Sequence, residues 1–223
     1  MSVKPESIAA APGGAVQEPP PDCPACPRLA EFRAGNRVRH PEFFNGPVAS
    51  FGPQNARLLI AGLAPGLKGA NRTGRPFTGD FAGDLLYETL GVFGFAQGQY
   101  RADPDDGLNL IDCRITNVVR CVPPQNKPTP AEIATCRGFL DNTVTAMPKL
   151  RAILALGRIA HESVVRSLGG RLAAYPFAHG ARHHIGGLAL FDSYHCSRYN
   201  TNTGRLTPEM FRSVIAAIRD ALD

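Results

Sequence analysis

No stretch of this 223-residue chain approaches the roughly 20 consecutive apolar residues that a membrane-spanning helix needs, although 43% of it is hydrophobic. The segment Ser7-Ile-Ala-Ala-Ala-Pro-Gly-Gly-Ala-Val follows Lys4, but proline and glycine break it too often for a signal-peptide core. A soluble, unexported, cytoplasmic protein is the expectation. Internal repeats are missing, and so is any low-complexity block beyond the first 22 residues. Gly62-Leu-Ala-Pro-Gly-Leu-Lys-Gly is only superficially like a phosphate loop. It fits neither G-x-x-x-x-G-K-[ST] nor the dinucleotide pattern G-x-G-x-x-G, which ranks a nucleotide-binding metabolic enzyme low.

What the chain has is positive charge and cysteine. Net charge is +5; residues 1–22 carry −2 (Lys4 against Glu6, Glu18 and Asp22), so the remainder carries +7. A basic body suits a polyanionic partner, because phosphates neutralised by Lys and Arg release counterions. Six cysteines occur, at 23, 26, 113, 121, 136 and 196. In a reducing compartment spaced cysteines point to metal or catalysis rather than disulfides.

Residues 1–22, rich in Pro, Ala and Gly, read as a disordered tail, and residues 23–223 as a single domain. Arg57-Leu-Leu-Ile-Ala-Gly-Leu, Ile115-Thr-Asn-Val-Val, Arg151-Ala-Ile-Leu-Ala-Leu-Gly and Gly187-Leu-Ala-Leu-Phe-Asp-Ser are short apolar runs of the kind that form buried parallel strands. Helices are predicted over 82–93, from Thr129-Pro-Ala-Glu to about 146, over 158–168 and over 208–222. Strands interleaved with helices imply a three-layer α/β/α fold around a four-stranded parallel sheet. Ligands bind such sheets at the carboxyl ends of the strands. The loops after Leu63, Val119 and Tyr194 should therefore converge.

Cys23 and Cys26 make a CxxC pair, whereas Cys121 and Cys136 are separated by fourteen residues. Structural zinc sites favour two tight knuckles, and iron–sulfur clusters accept varied spacing. A cluster is the favoured reading, with zinc as the competitor. Cys113 reads as a buried apolar residue, and Cys196 as a wall of the site.

Several residues suggest chemistry from position alone. Asn117 ends a strand despite poor β-propensity, and its amide offers both a donor and an acceptor. His195 ends the fourth strand with Tyr194, where it can donate a hydrogen bond. Phe77, on a glycine-rich loop, is either a stacking face or an anchor into the core. His183 and His184, before Gly186-Gly187, read as a solvated turn. His40, His161 and His179 have no evident partner.

Three blocks then match a known pattern. They are Gly62-Leu-Ala-Pro-Gly with Thr73-Gly-Arg-Pro-Phe-Thr-Gly-Asp, then Thr116-Asn-Val-Val-Arg-Cys, and His195-Cys-Ser-Arg-Tyr-Asn-Thr-Asn-Thr-Gly-Arg-Leu. With the four cysteines, the chain resembles the uracil-DNA glycosylase superfamily over residues 23–222. Within it the likeness is to the iron–sulfur families four and five, and closest to the broad-specificity family five. Family four has Glu where this chain has Leu63, and relatives usually have Pro where it has Cys196.

The resemblance implies excision of uracil from DNA, with hypoxanthine and xanthine as further expected substrates because Leu63 relaxes the site. It also implies a 4Fe-4S cluster on Cys23, Cys26, Cys121 and Cys136. Phe77 would stack on the base beside Gly62 and Leu63, Asn117 would read its amide edge, and His195 would stabilise the departing anion. Asp80 takes the water-orienting role that Leu63 cannot fill, with Asn117 assisting in water placement and Asp84 as the alternative; capping of the following helix is the plainer reading of either Asp. Ser197, Arg198 and Tyr199 would grip the backbone, with Tyr199 as the candidate wedge. The partner is DNA, with no protein partner implied and a monomer as the default. A non-catalytic iron–sulfur protein that binds or senses damaged DNA is the alternative.

Overall fold

The computed structural model describes residues 14–223. In chain order the elements are α1 (Pro27–Arg39), β1 (Leu58–Gly62), α2 (Ala70–Thr73), α3 (Phe81–Val92), β2 (Ala96–Gln97), β3 (Asn109–Leu110), β4 (Cys113–Asn117), α4 (Pro130–Ala146), β5 (Ala152–Leu156), α5 (Arg158–Ser167), β6 (Arg182–Ile185), β7 (Leu188–Ser193), α6 (Arg198–Asn202) and α7 (Pro208–Leu222).

The central sheet has the order β4-β1-β5-β7-β6. Its first four strands run parallel, in the register Gly62↔Asn117, Ala61↔Ala155 and Leu156↔Ser193. β1, β4 and β5 are buried along their whole length, the continuous apolar signature of strands covered on both faces. Side chains alternate between two cores. Leu58, Ile60, Leu154 and Phe191 pack with Leu86 of α3 and Ile215 of α7. Leu59, Ala61, Ile153 and Leu190 pack with Leu140 of α4 and Val164 of α5. The α/β/α layering is therefore as the sequence implies.

The sheet is wider than expected. β6 pairs antiparallel with β7, with His183 opposite Leu190 and His184 opposite Ala189. His183 and His184 are thus strand residues, not a solvated turn. The two-residue loop is Gly186-Gly187, whose φ values of 58° and 83° suit a tight hairpin that L side chains resist. β4 also begins earlier than the sequence suggests, at Cys113, which is fully buried among the core residues.

α4 carries the capping box its sequence predicts: Thr129 accepts from the Glu132 N–H at 3.2 Å, and Glu132 accepts from the Thr129 N–H at 2.7 Å. Ahead of α1, Glu18 lies on two buried arginines, 2.6 Å from Arg120 and 3.4 Å from Arg114. This part of the N-terminal segment is packed against the domain. Residues 1–13 of the expected tail lie outside the described residues.

Candidate active site

β1, β4 and β7 end at the same edge of the sheet, and the loops that follow enclose a cavity of about 600 Å³. Leu63, Phe77, Asp80, Asn117, His195, Ser197 and Arg198 line it. Three stretches, separated by 40 and 78 residues at Phe77, Asn117 and His195, therefore meet around one space. Lys68, Phe81 and Asn126 line it too and carry no signal in the sequence that singles them out.

Phe77 is both a core anchor and a cavity wall. Its ring is 6% exposed, packs with the α3–α7 core, and lies 5.7 Å from the His195 ring, tilted by 27°. The backbone there has φ 53°, a left-handed conformation that an aromatic residue adopts only when its surroundings impose it. The surroundings are visible. Arg75 holds Asp106 by two 2.8 Å bonds and Thr78 by one of 2.7 Å, within 5.2–5.8 Å of the Phe51, Tyr87 and Tyr100 rings. Tyr87 donates to the Pro76 carbonyl at 2.5 Å and Tyr100 to that of Phe77 at 3.2 Å. A Cβ on Gly83 would meet the Phe77 carbonyl oxygen at 1.9 Å, so α3 approaches the loop closely only because Gly83 lacks one. The Arg75 guanidinium beside Asp106 holds that carboxyl well below the usual carboxylate range. This clamp is a determinant the sequence does not reveal.

Asn117 closes β4 at 3% exposure and lines the cavity. Gly62, opposite it in register, lies behind the wall. A Cβ there would come within 2.5 Å of Phe77 Cζ and 2.6 Å of Asn117 Oδ1. Its contribution is the space it leaves, not a contact with ligand.

Burial pushes the His195 imidazole down to about 4, so the ring is neutral at physiological pH. Its backbone carbonyl accepts from Asn200 Nδ2 at 2.8 Å, which ties the residue to α6. Asp80 has two contacts. Oδ1 accepts from the Ala82 N–H at 3.1 Å and caps α3, while Oδ2 sits where a Cβ on Gly69 would come within 2.3 Å. Burial raises its carboxyl above the ordinary value. Capping and cavity lining are thus combined in one residue. Asp84, one turn on, is exposed and does not line the cavity.

Ser197 caps α6, accepting from the Asn200 N–H at 3.5 Å. Arg198 lies 5.4 Å over Phe81, and with Lys68 it makes the mouth of the cavity positive. Tyr199 does not line the cavity; it projects at 72% exposure. Cys196 is fully buried in the core and is not a wall of the site, and burial pushes its thiol up to about 12.

Cys23, Cys26, Cys121 and Cys136 line a second, smaller cavity between α1, α4 and the loop after β4. Leu29, Val119 and Phe139 shield it. Arg33 Nη1 donates to Cys121 Sγ at 3.5 Å, and the Arg120 N–H to Cys136 Sγ at 3.3 Å. Among the described residues, no three of these sulfurs lie within 4.8 Å of one another.

A ring wall, an amide and a neutral imidazole thus share one space at the carboxyl edge of a parallel sheet. The chain belongs to the uracil DNA glycosylase superfamily, whose family model matches residues 49–219. It is 45% identical over 199 residues to the type-5 uracil-DNA glycosylase of Thermus thermophilus, covering 86% of this chain and 90% of that one. It is 38% identical over 198 residues to the type-5 enzyme of Pyrobaculum aerophilum, covering 87% and 86%. A type-4 uracil-DNA glycosylase of Sulfurisphaera tokodaii is 28% identical over 181 residues, covering 78% and 75%.

Proposed function

We propose that this chain is a uracil-DNA glycosylase that hydrolyses the bond between a deaminated base and its deoxyribose, leaving an abasic site for base excision repair. Residues 23–223 act as one catalytic domain. The observation that carries this reading is the convergence of Phe77, Asn117, His195 and Asp80 on one cavity, in a chain so similar to type-5 enzymes.

A base in duplex DNA is out of reach of any protein group, so the nucleotide is everted at a cost of a few kcal/mol. Lys68, Arg198 and Ser197 at the mouth suit the flanking phosphates. Tyr199, exposed and next in the chain to Arg198, would enter the vacated space. Phe77 offers its face to the base and Asn117 pairs with the amide edge. As the C1′–N bond breaks, the electron pair leaves with the base, and the His195 N–H stabilises the charge on its carbonyl oxygen. Asp80 orients the water whose oxygen bonds to C1′ and takes up the proton that water loses, and until then its charge offsets that of the cationic sugar.

Leu63, at the cavity wall, makes no polar demand on the base, which supports hypoxanthine and xanthine as further substrates. Single-turnover assays on oligonucleotides carrying uracil, hypoxanthine or xanthine test the proposal. Abasic product from uracil is expected, with slower release of the purines. Tight binding without product from any of them makes the chain a damage sensor instead.

Burial raises the Asp80 carboxyl above its ordinary value, so on lowering the pH the water loses its orienting anion sooner than beside an exposed carboxylate. That loss contributes an acid limb to the pH–rate profile. Asp80→Asn keeps the Ala82 cap, and it is expected to flatten that limb and cut excision about 10²–10³-fold, with DNA binding nearly unchanged. Equal losses of rate and binding make Asp80 a structural residue.

The four-cysteine cavity fits a 4Fe-4S cluster better than zinc. Tetrahedral zinc with bonds of about 2.3 Å brings its sulfurs to about 3.8 Å of one another, whereas among the described residues no three of these four lie mutually within 4.8 Å. A cluster holds its thiolates more widely, and the Arg33 and Arg120 donors suit negatively charged sulfur. The cluster would staple α1 to α4 and the loop after β4. Cys136→Ser is expected to lower bound iron and Tm together; wild-type iron content in that variant removes Cys136 from the ligand set.

A further inference from the structure

On the α5 side of the sheet, away from both cavities, three side chains far apart in sequence meet: His161 of α5, His183 of β6 and Asp192 of β7. Their side chains are 1%, 14% and 0% exposed. Among the described residues they form the one set of three or more His, Cys, Asp or Glu side chains with ligand atoms within 4.8 Å of one another.

Each ligand's second atom matters. His161 Nδ1 lies 2.7 Å from Asp192 Oδ1, while its Nε2–H donates to the Tyr175 carbonyl at 2.8 Å. A backbone carbonyl on the far ring nitrogen is the usual device for aiming a histidine at a metal. On the other side, His183 Nε2 and Asp192 Oδ2 face each other at 3.5 Å. Both are buried and neither has a hydrogen-bond partner. Two orphaned polar atoms in a core are costly unless something lies between them. Phe177 and Tyr175 enclose the cluster, their rings 5.6 Å from His161 and 5.8 Å from His183.

The geometry points to a second metal site, in which His161 Nδ1, His183 Nε2 and Asp192 hold one divalent transition ion, with zinc the best match. Two imidazoles and a carboxylate are borderline ligands that suit Zn²⁺ and leave the fourth tetrahedral position to water. Metal takes the place of the proton shared by His161 and Asp192 and engages both orphaned atoms. Its role is to pin the β6–β7 edge to α5, three residues before His195.

Cobalt separates this site from the cysteines by colour, because Co²⁺ on nitrogen and oxygen lacks the intense sulfur-to-metal charge-transfer band of a thiolate complex. The whole protein, its cysteines intact, is stripped with a mild chelator and titrated with Co²⁺, and separately with Zn²⁺. One equivalent of Co²⁺ giving weak visible bands alone, and a Zn²⁺-dependent rise in Tm of roughly 5–10 °C at a hundredfold excess over Kd, are expected. His183→Ala, on a hairpin edge, should remove both signals while retaining metal-free Tm within a few degrees. The proposal is overturned by no visible bands in the wild-type protein, by a charge-transfer band accompanying uptake, or by unchanged uptake in His183→Ala. Should that variant misfold, the wild-type cobalt spectrum alone decides.

Discussion

His195→Ala is expected to slow single-turnover excision of uracil by about 10²–10³-fold while binding of uracil-containing DNA changes by less than about threefold. The magnitude is that of removing one hydrogen-bond donor from a developing anion in a dry site. The asymmetry follows from when the interaction matters. Before the bond breaks, the base oxygen is a neutral carbonyl, and the ring contributes little beyond Phe77 and Asn117. Once negative charge gathers there, a donor held in place by the Asn200 bond to its own backbone needs no reorganisation. Burial keeps the imidazole neutral, with a value of about 4, so no rate loss traceable to this ring is expected between pH 8 and pH 6. The same shift has a stability consequence. The unfolded chain takes up a proton near pH 6.5 and the folded one does not, so this group destabilises the fold progressively as pH falls from there toward 4. A variant that loses rate and binding equally places His195 outside the chemistry.

Gly62→Ala is expected to abolish most activity without touching any group that acts on the base. The added methyl would come within 2.5 Å of Phe77 Cζ and 2.6 Å of Asn117 Oδ1, both of which line the cavity. β1 is fully buried and paired on both sides, so it cannot retreat; the ring and the amide must. Phe77 is already held at φ 53° by the Arg75 clamp, which leaves it little freedom to adjust. Overpacking of this kind costs about 1–3 kcal/mol, and a displacement of about 1 Å in positioning groups costs about 10²-fold in rate. Adding Phe77→Leu should restore much of the lost Tm and little of the activity, since it relieves the clash but removes the stacking face. Wild-type excision by Gly62→Ala contradicts the proposed packing of the wall.

The parallel strands and the helices that flank them are legible because burial on both faces writes continuous apolar runs, and because Thr129-Pro-Ala-Glu spells out a capped start. The edge strand is less legible. Gly186-Gly187 carries a hairpin signal, but the preceding His183-His184 looks solvated until Asp192 and His161 are known to lie behind it. The placement of Asn117 and His195 at the cavity is legible from their position at strand ends, since the loops of a parallel sheet's carboxyl edge converge there. Phe77 reads as a stacking face or as a core anchor, and the fold makes it a core anchor whose ring also lines the cavity. The clamp behind it is invisible in the sequence, because Arg75 and Asp106 are 31 residues apart and only their burial makes the pair more than surface charge. Cys196 is misleading next to a histidine. Its side chain faces the core while His195 faces the cavity, which adjacent residues of an extended chain commonly do.

The claim on which the rest depends is that Phe77, Asn117 and His195 close around a single everted base. The most direct measurement is the crystal structure of the protein bound to duplex DNA carrying a 2′-fluorinated deoxyuridine, whose glycosidic bond resists cleavage. The account expects the uracil outside the helix, its face on Phe77, its amide edge on Asn117 and a carbonyl oxygen within hydrogen-bond reach of His195. A uracil still stacked in the duplex, or seated away from those three side chains, contradicts it.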